Sequence, residues 1–378
     1  VTETTATPAR PRRHRRHIWL TVLATQALLA VLTVGAVTYA YSTLNGNIEQ
    51  GEAINHQVSK DEEAAGPTGP LNILVLGSDS RDGEGNDIDG LADMGERADT
   101  TILLHVSADR SDVYGVSLPR DAIVDRPDCM DADGEMVEGA EQVMFNTAFA
   151  EGGAQCAVQT VEALTGIYID HFVVVDFNGF KDMVEAVNGV EVCIPQEVND
   201  TEHDIYLPAG VQTLTGQDAL NYVRERTILS VTGDIGRMRR QQAFIASMIN
   251  KVKSAGILSQ PVSVFGFLNA ATSSIEVDAE LDSVGKLADL ATQFRETGLS
   301  DIQFITVPIA EYPLDPNRLI WTEEADELWE RIRADQQLGR DFNDTSIDAD
   351  DSVGTVDPDD AAADGDEAEA RRQAGLCA

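Results

Sequence analysis

The stretch FVVVDFNGFKDMVEAVNGVEVCI, residues 172–194, decides the fold class. Phe172 to Val175 is a run of strong β-formers, Phe177 to Val187 has a helical pattern, and Val190 to Ile194 is a second β run. Strand, helix and strand in such close succession predict an α/β domain with helices packed on a central sheet. Toward the N-terminus, Asn72-Ile73-Leu74-Val75-Leu76 is a short apolar run closed by Gly77, as a buried strand requires. Thr101 to Val106 and Val113 to Leu118 predict two more strands, a hairpin or adjacent pair turning at Asp109-Arg110-Ser111. Toward the C-terminus, helices are predicted over Ala157–Leu164 (closed by Gly166), Gly216–Arg226, Arg237–Ala255, Leu281–Thr297 and Glu323–Asp335, with a strand over Ile302–Val307. The folded domain is expected to run from 71 to 340.

The termini differ sharply from this core. Ile18 to Tyr41 carries no charge, is long enough to cross a bilayer, and follows Arg10, Arg12, Arg13, Arg15 and Arg16. Acids dominate after it, so positive charge is expected to hold residues 1–17 in the cytoplasm and place the remainder outside, behind a linker over 42–70. A cleaved signal peptide is the rival, but the apolar run is longer than an h-region and Ala36 and Ala40 make a poor cleavage site. From Asp341 to Ala370 there are twelve acids and no base, which predicts a disordered acidic tail over 341–378. With a formal net charge of -38 and no broad basic face, the chain is not expected to bind nucleic acid. Of four cysteines, none forms a C-x-x-C pair, which argues against zinc. Cys129 and Cys156 flank one loop-like region and are expected to pair. Cys193 reads as a buried thiol and Cys377 as part of the tail, though spacing alone leaves the connectivity open.

Against this acidic background, Tyr222-Val223-Arg224-Glu225-Arg226 and Gly233-Asp234-Ile235-Gly236-Arg237-Met238-Arg239-Arg240-Gln241-Gln242 concentrate five arginines. The guanidinium fork suits phosphate geometry, so a phosphate or diphosphate is the expected ligand. Gly233-Asp234 opens the long helix and places Arg237 in its first turn, where free backbone N–H groups add to the charge; Arg237 shares a face with Arg240 and Gln241. The bland alternative is a solvated helix whose arginines pair with Asp218, Glu225 and Asp234. Asp79, in Gly77-Ser78-Asp79-Ser80-Arg81, follows the first strand, and Arg97-Ala98-Asp99-Thr100 opens the second. The two carboxylates can lie side by side, and two carboxylates with water and phosphate oxygens suit Mg²⁺. Arg120, in Ser117-Leu118-Pro119-Arg120-Asp121, emerges where proline stops the third strand, with pairing to Asp121 as its bland reading. His105 reads as core and His171 as a loop-orienting residue.

These motifs, with Asn146–Gly153, Thr160–Ile167, Ile169-Asp170-His171-Phe172 and Val175–Phe180, resemble the LytR–CpsA–Psr family of cell-envelope phosphotransferases over roughly residues 71 to 254. The resemblance implies a central mixed β-sheet sandwiched by α-helices, preceded by one transmembrane helix. It implies an enzyme that moves a glycan phosphate from a polyprenyl-diphosphate-linked donor to a hydroxyl of peptidoglycan, as in teichoic acid or arabinogalactan attachment. By motif, Asp79 and Asp99 would hold Mg²⁺ (or Mn²⁺). Arg97, Arg120, Arg224, Arg226, Arg237, Arg240 and Gln241 would grip the diphosphate, with Asp79, Asp99 and Arg120 as the catalytic set. The helices of 155–190 and 236–268 would supply an apolar lipid tunnel. Two departures stand out: residues 82–96 form a long acidic loop, and Thr147 follows Asn146 where the family often has His. A non-catalytic lipid-diphosphate binder, a diphosphate hydrolase and transfer to a protein acceptor are the competing readings.

Overall fold

A computed structural model describes residues 12–60, 69–78, 98–201, 205–225, 228–229, 233–254, 261–295, 297–339, 342, 346–350 and 371–377. The chain divides into two units, Val1–Gly46 and Asn47–Ala378. Helix α1 spans Arg12–Asn47. Its stretch from His17 is long and apolar enough to cross a membrane.

The second unit is built on a sheet of β1 (Glu49–Gln50), β2 (Leu71–Ser78), β3 (Ala98–Val106), β4 (Val113–Ser117), β5 (His171–Val175), β6 (Ile275–Val277), β7 (Ile302–Thr306) and β8 (Ile347–Asp348). Their spatial order is β1-β6-β5-β2-β3-β4-β7-β8. The sheet is mixed: β2 is parallel to β5 and antiparallel to β3, and β4 is antiparallel to β3 and parallel to β7. The helices are α2 (Thr147–Thr165), α3 (Phe177–Ala186), α4 (Gly216–Arg224), α5 (Asp234–Ser254), α6 (Pro261–Thr272), α7 (Val284–Thr292) and α8 (Glu323–Arg333).

Because side chains alternate along a strand, the central strands bury apolar groups on both faces. Leu74, Leu76, Leu103, Val116 and Ile305 pack with Val158 and Val161 of α2 and Leu328 and Trp329 of α8. On the other face, Val106, Val113, Ile302 and Phe304 pack with Ala246 of α5. Gly115 makes room there for Phe304, since a Cβ would fall 2.5 Å from the ring. A third cluster joins α3, α4 and Phe244 of α5.

Five expectations change. The strand over Val190–Ile194 leaves the central sheet and pairs antiparallel with Gly210–Leu214, because Val190, Val192 and Ile194 bury against the α3–α4 cluster. The fold begins well before Leu71. β1 pairs with β6, the Gln155 side chain bonds the carbonyls of Glu52 and Ala53, and the buried Glu162 carboxylate accepts from His56 Nδ1 (2.7 Å) and Gln57 N (2.6 Å). Residues 47–60 are therefore a strap on the domain, not a free linker. The far end is not wholly a tail either: β8 adds to the sheet edge, and Ala374 and Leu376 are buried with Phe304 and Ile347. Finally, Cys129 pairs with Cys156 as expected, but Cys193 is no free thiol, since it is bonded to Cys377. That bond ties segment 371–377, which carries two arginines and no acid, to the strand Val190–Ile194. Among the described residues of the predicted Leu281–Thr297 helix, only Val284–Thr292 is α-helical.

Candidate active site

Asp99 owes its direction to a bulge. The β2–β3 register runs Gly77↔Thr100 and then Ser78↔Ala98, leaving Asp99 as the extra residue on β3. A bulge bends the strand and re-aims a side chain, and Asp99 meets the guanidinium of Arg120 through Oδ1 and Nη1. Arg120 itself sits in the turn after β4, where Ala122 N bonds Pro119 O at 3.1 Å and Asn146 N bonds Arg120 O at 3.1 Å. Its Nε lies 3.3 Å from Asp121 Oδ2 and its Nη2 lies 3.8 Å from Asp234 Oδ2. Asp234 opens α5 and takes Arg237, one turn on, at 3.0 Å. On the far side Asp121 meets Arg318 at 3.4 Å. Arg120, Arg237 and Arg318 thus face Asp99, Asp121 and Asp234 in one charge-balanced row, within a chain of net charge -38.

Burial works against the charge on Arg120, but Asp99, Asp121 and Asp234 outweigh it and hold its pKa above the ordinary value. For Asp121, burial raises the pKa, a hydrogen bond with Asp234 raises it further, and Arg120 opposes both. A raised folded pKa favours the protonated acid. Asp121 then contributes stability that is complete below its unfolded value near 3.8 and is lost as pH rises through the folded value. Asp121→Asn is therefore expected to flatten the fall in unfolding temperature across that window. An unchanged pH profile would show that Asp121 does not carry the dependence.

Behind this row opens a cavity of about 220 Å³, bounded mainly by apolar side chains of β2, α3, α4 and α5, among them Val75, Phe177, Phe180, Met183, Leu220, Phe244, Ile245 and Met248. Asp99, Arg224, Arg237 and Gln241 also line it. Arg224 lies 4.6 Å over the Phe177 ring, and Gln241 Nε2 donates to Val223 O at 3.2 Å. The cavity is oily along most of its wall and guanidinium-rich in one region, the shape of a site for an apolar chain with an anionic head. Part of its wall, Val175–Met183 and Arg237–Met248, falls in the two regions from which the tunnel is expected, whereas the parts from β2, β3 and α4 lie outside them.

The structure thus places Asp99, Arg237 and Gln241 on both the apolar cavity, with Arg224, and the adjoining cleft, with Arg120. Asp79, Arg97 and Arg226 lie outside the described residues. Arg240 is not part of the cluster: it is fully buried and bonds Ala374 O (3.0 Å) and the backbone carbonyl of Glu225. Burial lowers its pKa, opposed by Tyr222 and Glu225. His105 is core, bonded to Asn72 at 2.8 Å, and His171 pairs with Asp278 at 3.1 Å. Arg318 was not foreseen, since it lies on a hairpin of Ile309–Tyr312 and Asp315–Trp321 that no motif marks. Asp121 and Asp234 read from sequence only as partners or caps.

The donor set suits a hard cation, because carboxylate oxygens with phosphate oxygens and water are Mg²⁺ ligands. Among the described residues no three His, Cys, Asp or Glu side chains are grouped to hold a metal, so Asp99 would bind one only with ligands from elsewhere.

The LytR_cpsA_psr family model matches residues 36–334. The cell wall biosynthesis protein LcpA of Corynebacterium glutamicum is 33% identical over 305 residues, 74% of this chain and 56% of that protein. The polyisoprenyl-teichoic acid–peptidoglycan teichoic acid transferase TagU of Enterococcus faecalis is 33% identical over 219 residues, 58% of this chain and 65% of that protein. This chain thus spans less than two thirds of the length of either relative. Among solved structures, a LytR-Csp2A-Psr enzyme from Actinomyces oris superposes with a TM-score of 0.56 at 21% identity, over 75% of this chain and 96% of that one. TagT bound to LI-WTA gives 0.54 at 22%, over 77% and 99%. At that identity the likeness is one of fold. Family match, sequence relatives and sheet architecture agree, and the chain belongs to the LytR–CpsA–Psr family.

Proposed function

We propose that this chain is a phosphotransferase that links a glycopolymer to peptidoglycan. The observation that carries the reading is that Arg224 and Arg237 line a cavity that is otherwise largely apolar, while Arg120 lines an adjoining cleft that shares Asp99, Arg237 and Gln241 with it. A polyprenyl chain fills the apolar part and its diphosphate lies among the arginines. The relative named as a teichoic acid transferase supports a glycan donor and a peptidoglycan acceptor. An acceptor hydroxyl oxygen attacks the glycan-linked phosphorus, the bridging P–O bond breaks, polyprenyl phosphate leaves, and the hydroxyl proton passes to a carboxylate of the cluster. Catalysis of this kind is mainly positioning and charge stabilisation. Arg120 and Arg237 offset charge on the leaving phosphate. Bound Mg²⁺, held by Asp99 and Asp79, would neutralise phosphate charge. Helix α1 anchors the chain in the membrane with the domain outside the cytoplasm, where disulfides form.

Two results test this. Asp99→Asn is expected to raise the Mg²⁺ concentration for half-maximal transfer, and an unchanged titration would remove Asp99 from the metal role. Met183→Trp should fill part of the 220 Å³ cavity and weaken long-chain donors by at least about tenfold while sparing short-chain analogues. Equal effects on both chain lengths would place the lipid elsewhere.

A further inference from the structure

We propose that Arg240 is a positioning residue which, with the C-terminal segment 371–377, clamps the turn that follows Arg224. The inference rests on the donor reading above and adds to it a part of the chain far from the site in sequence. Arg240 does not line the cavity and bridges two backbones. One prong bonds Ala374 O at 3.0 Å, and another bonds the carbonyl of Glu225, the residue after Arg224. The Glu225 carboxylate, 3.8 Å from Arg240, folds back to accept from Ile228 N (2.7 Å) and Leu229 N (2.9 Å), closing the turn.

The C-terminal segment braces the same turn from outside. Gly375 has φ +75° and lies so close that a Cβ would fall 2.2 Å from Leu229 O. Cys377 is bonded to Cys193 on the strand Val190–Ile194, so the brace is covalently closed. Gln196, two residues beyond that strand, donates to Ile228 O at 2.7 Å. A fully buried guanidinium serves no ligand directly. Its two-pronged geometry instead holds the Glu225 carbonyl, and so the neighbouring Arg224 at the cavity wall, in one arrangement.

A purely structural role would weaken every ligand alike, whereas a clamp on the arginine-bearing turn acts on the diphosphate head. The full chain in detergent is titrated with geranyl diphosphate and with geraniol, and unfolding temperature is recorded for each protein. Three variants are compared with wild type: Arg240→Lys, which keeps the charge but loses the fork; Cys193→Ser/Cys377→Ser, which opens the brace; and Gly375→Ala, which disturbs its contact with Leu229. The expected result is about tenfold weaker geranyl diphosphate binding with geraniol affinity retained, the loss of roughly one charge-assisted hydrogen bond. Should one variant fail to fold, the remaining two carry the same comparison. Unchanged diphosphate affinity in the folded variants, or equal losses for both ligands, overturns the clamp. Wild-type protein that binds geraniol but not geranyl diphosphate overturns the donor reading itself, and the clamp with it.

Discussion

Arg120→Ala is expected to reduce transfer by about 10³-fold or more while the protein remains folded. Removing one preorganised donor to a developing oxyanion costs about 10²–10³, and arginines that stabilise a transferring phosphoryl group are worth about 10³–10⁵. Arg120 is the hub of the row, since Asp99, Asp121 and Asp234 all reach it, whereas Arg237 pairs with Asp234 and Arg318 with Asp121. Its loss leaves three carboxylates repelling the donor diphosphate, so binding and turnover should both fall. Arg120→Lys keeps the charge without the fork and should recover only part of the loss. Turnover of a polyprenyl-diphosphate-linked donor checks this, with circular dichroism as the control for folding. Near wild-type turnover in Arg120→Ala would remove the residue from the chemistry.

The second large effect concerns stability and lies far from the site. The Glu162 side chain is fully buried and accepts from His56 Nδ1, Gln57 N and Ile169 N, at 2.7, 2.6 and 3.0 Å. It fastens the strap to α2 and to the approach to β5 together. Glu162→Ala removes both acceptor oxygens, and with them all three hydrogen bonds, and leaves the buried Ile169 N–H without an acceptor, at a cost of about 3 kcal/mol. A fall in unfolding temperature of roughly 5–10 °C follows for a domain of this size. Fragments that begin after residue 60 should be similarly destabilised, because they lack the strap. A Glu162→Ala protein that melts within a degree of wild type would contradict this account of the strap.

Much of the fold was legible because its signals are local. Leu71–Ser78, Val113–Ser117 and His171–Val175 are short apolar runs with clear ends, and Gly166 closes α2 in the left-handed conformation at φ 67°. The strap was illegible because its stability is not local: Glu49-Gln50 has no strand propensity, and its order comes from β6, Gln155 and Glu162. The docked C-terminus was hidden in the same way, since acidic composition says nothing of a disulfide to a residue 184 positions earlier. At the site, residue type and motif indicated Asp99, Arg120 and Arg237. The helix-face rule misled for Arg240, which shares the N-terminal part of α5 with Arg237 but turns into the core. Arg318 required the tertiary bridge from Leu319 to Ala122, which no local pattern carries.

The most direct test of the central claim uses the chain from residue 47 to residue 378, so that strap, clamp and both disulfides are retained. It is incubated with a polyprenyl-diphosphate-linked glycan and a peptidoglycan oligomer, with and without Mg²⁺, and the products are read by mass spectrometry. The account predicts a glycan–peptidoglycan phosphodiester with release of polyprenyl phosphate, faster with Mg²⁺. Donor bound without turnover, or phosphate released without ligation, would contradict it.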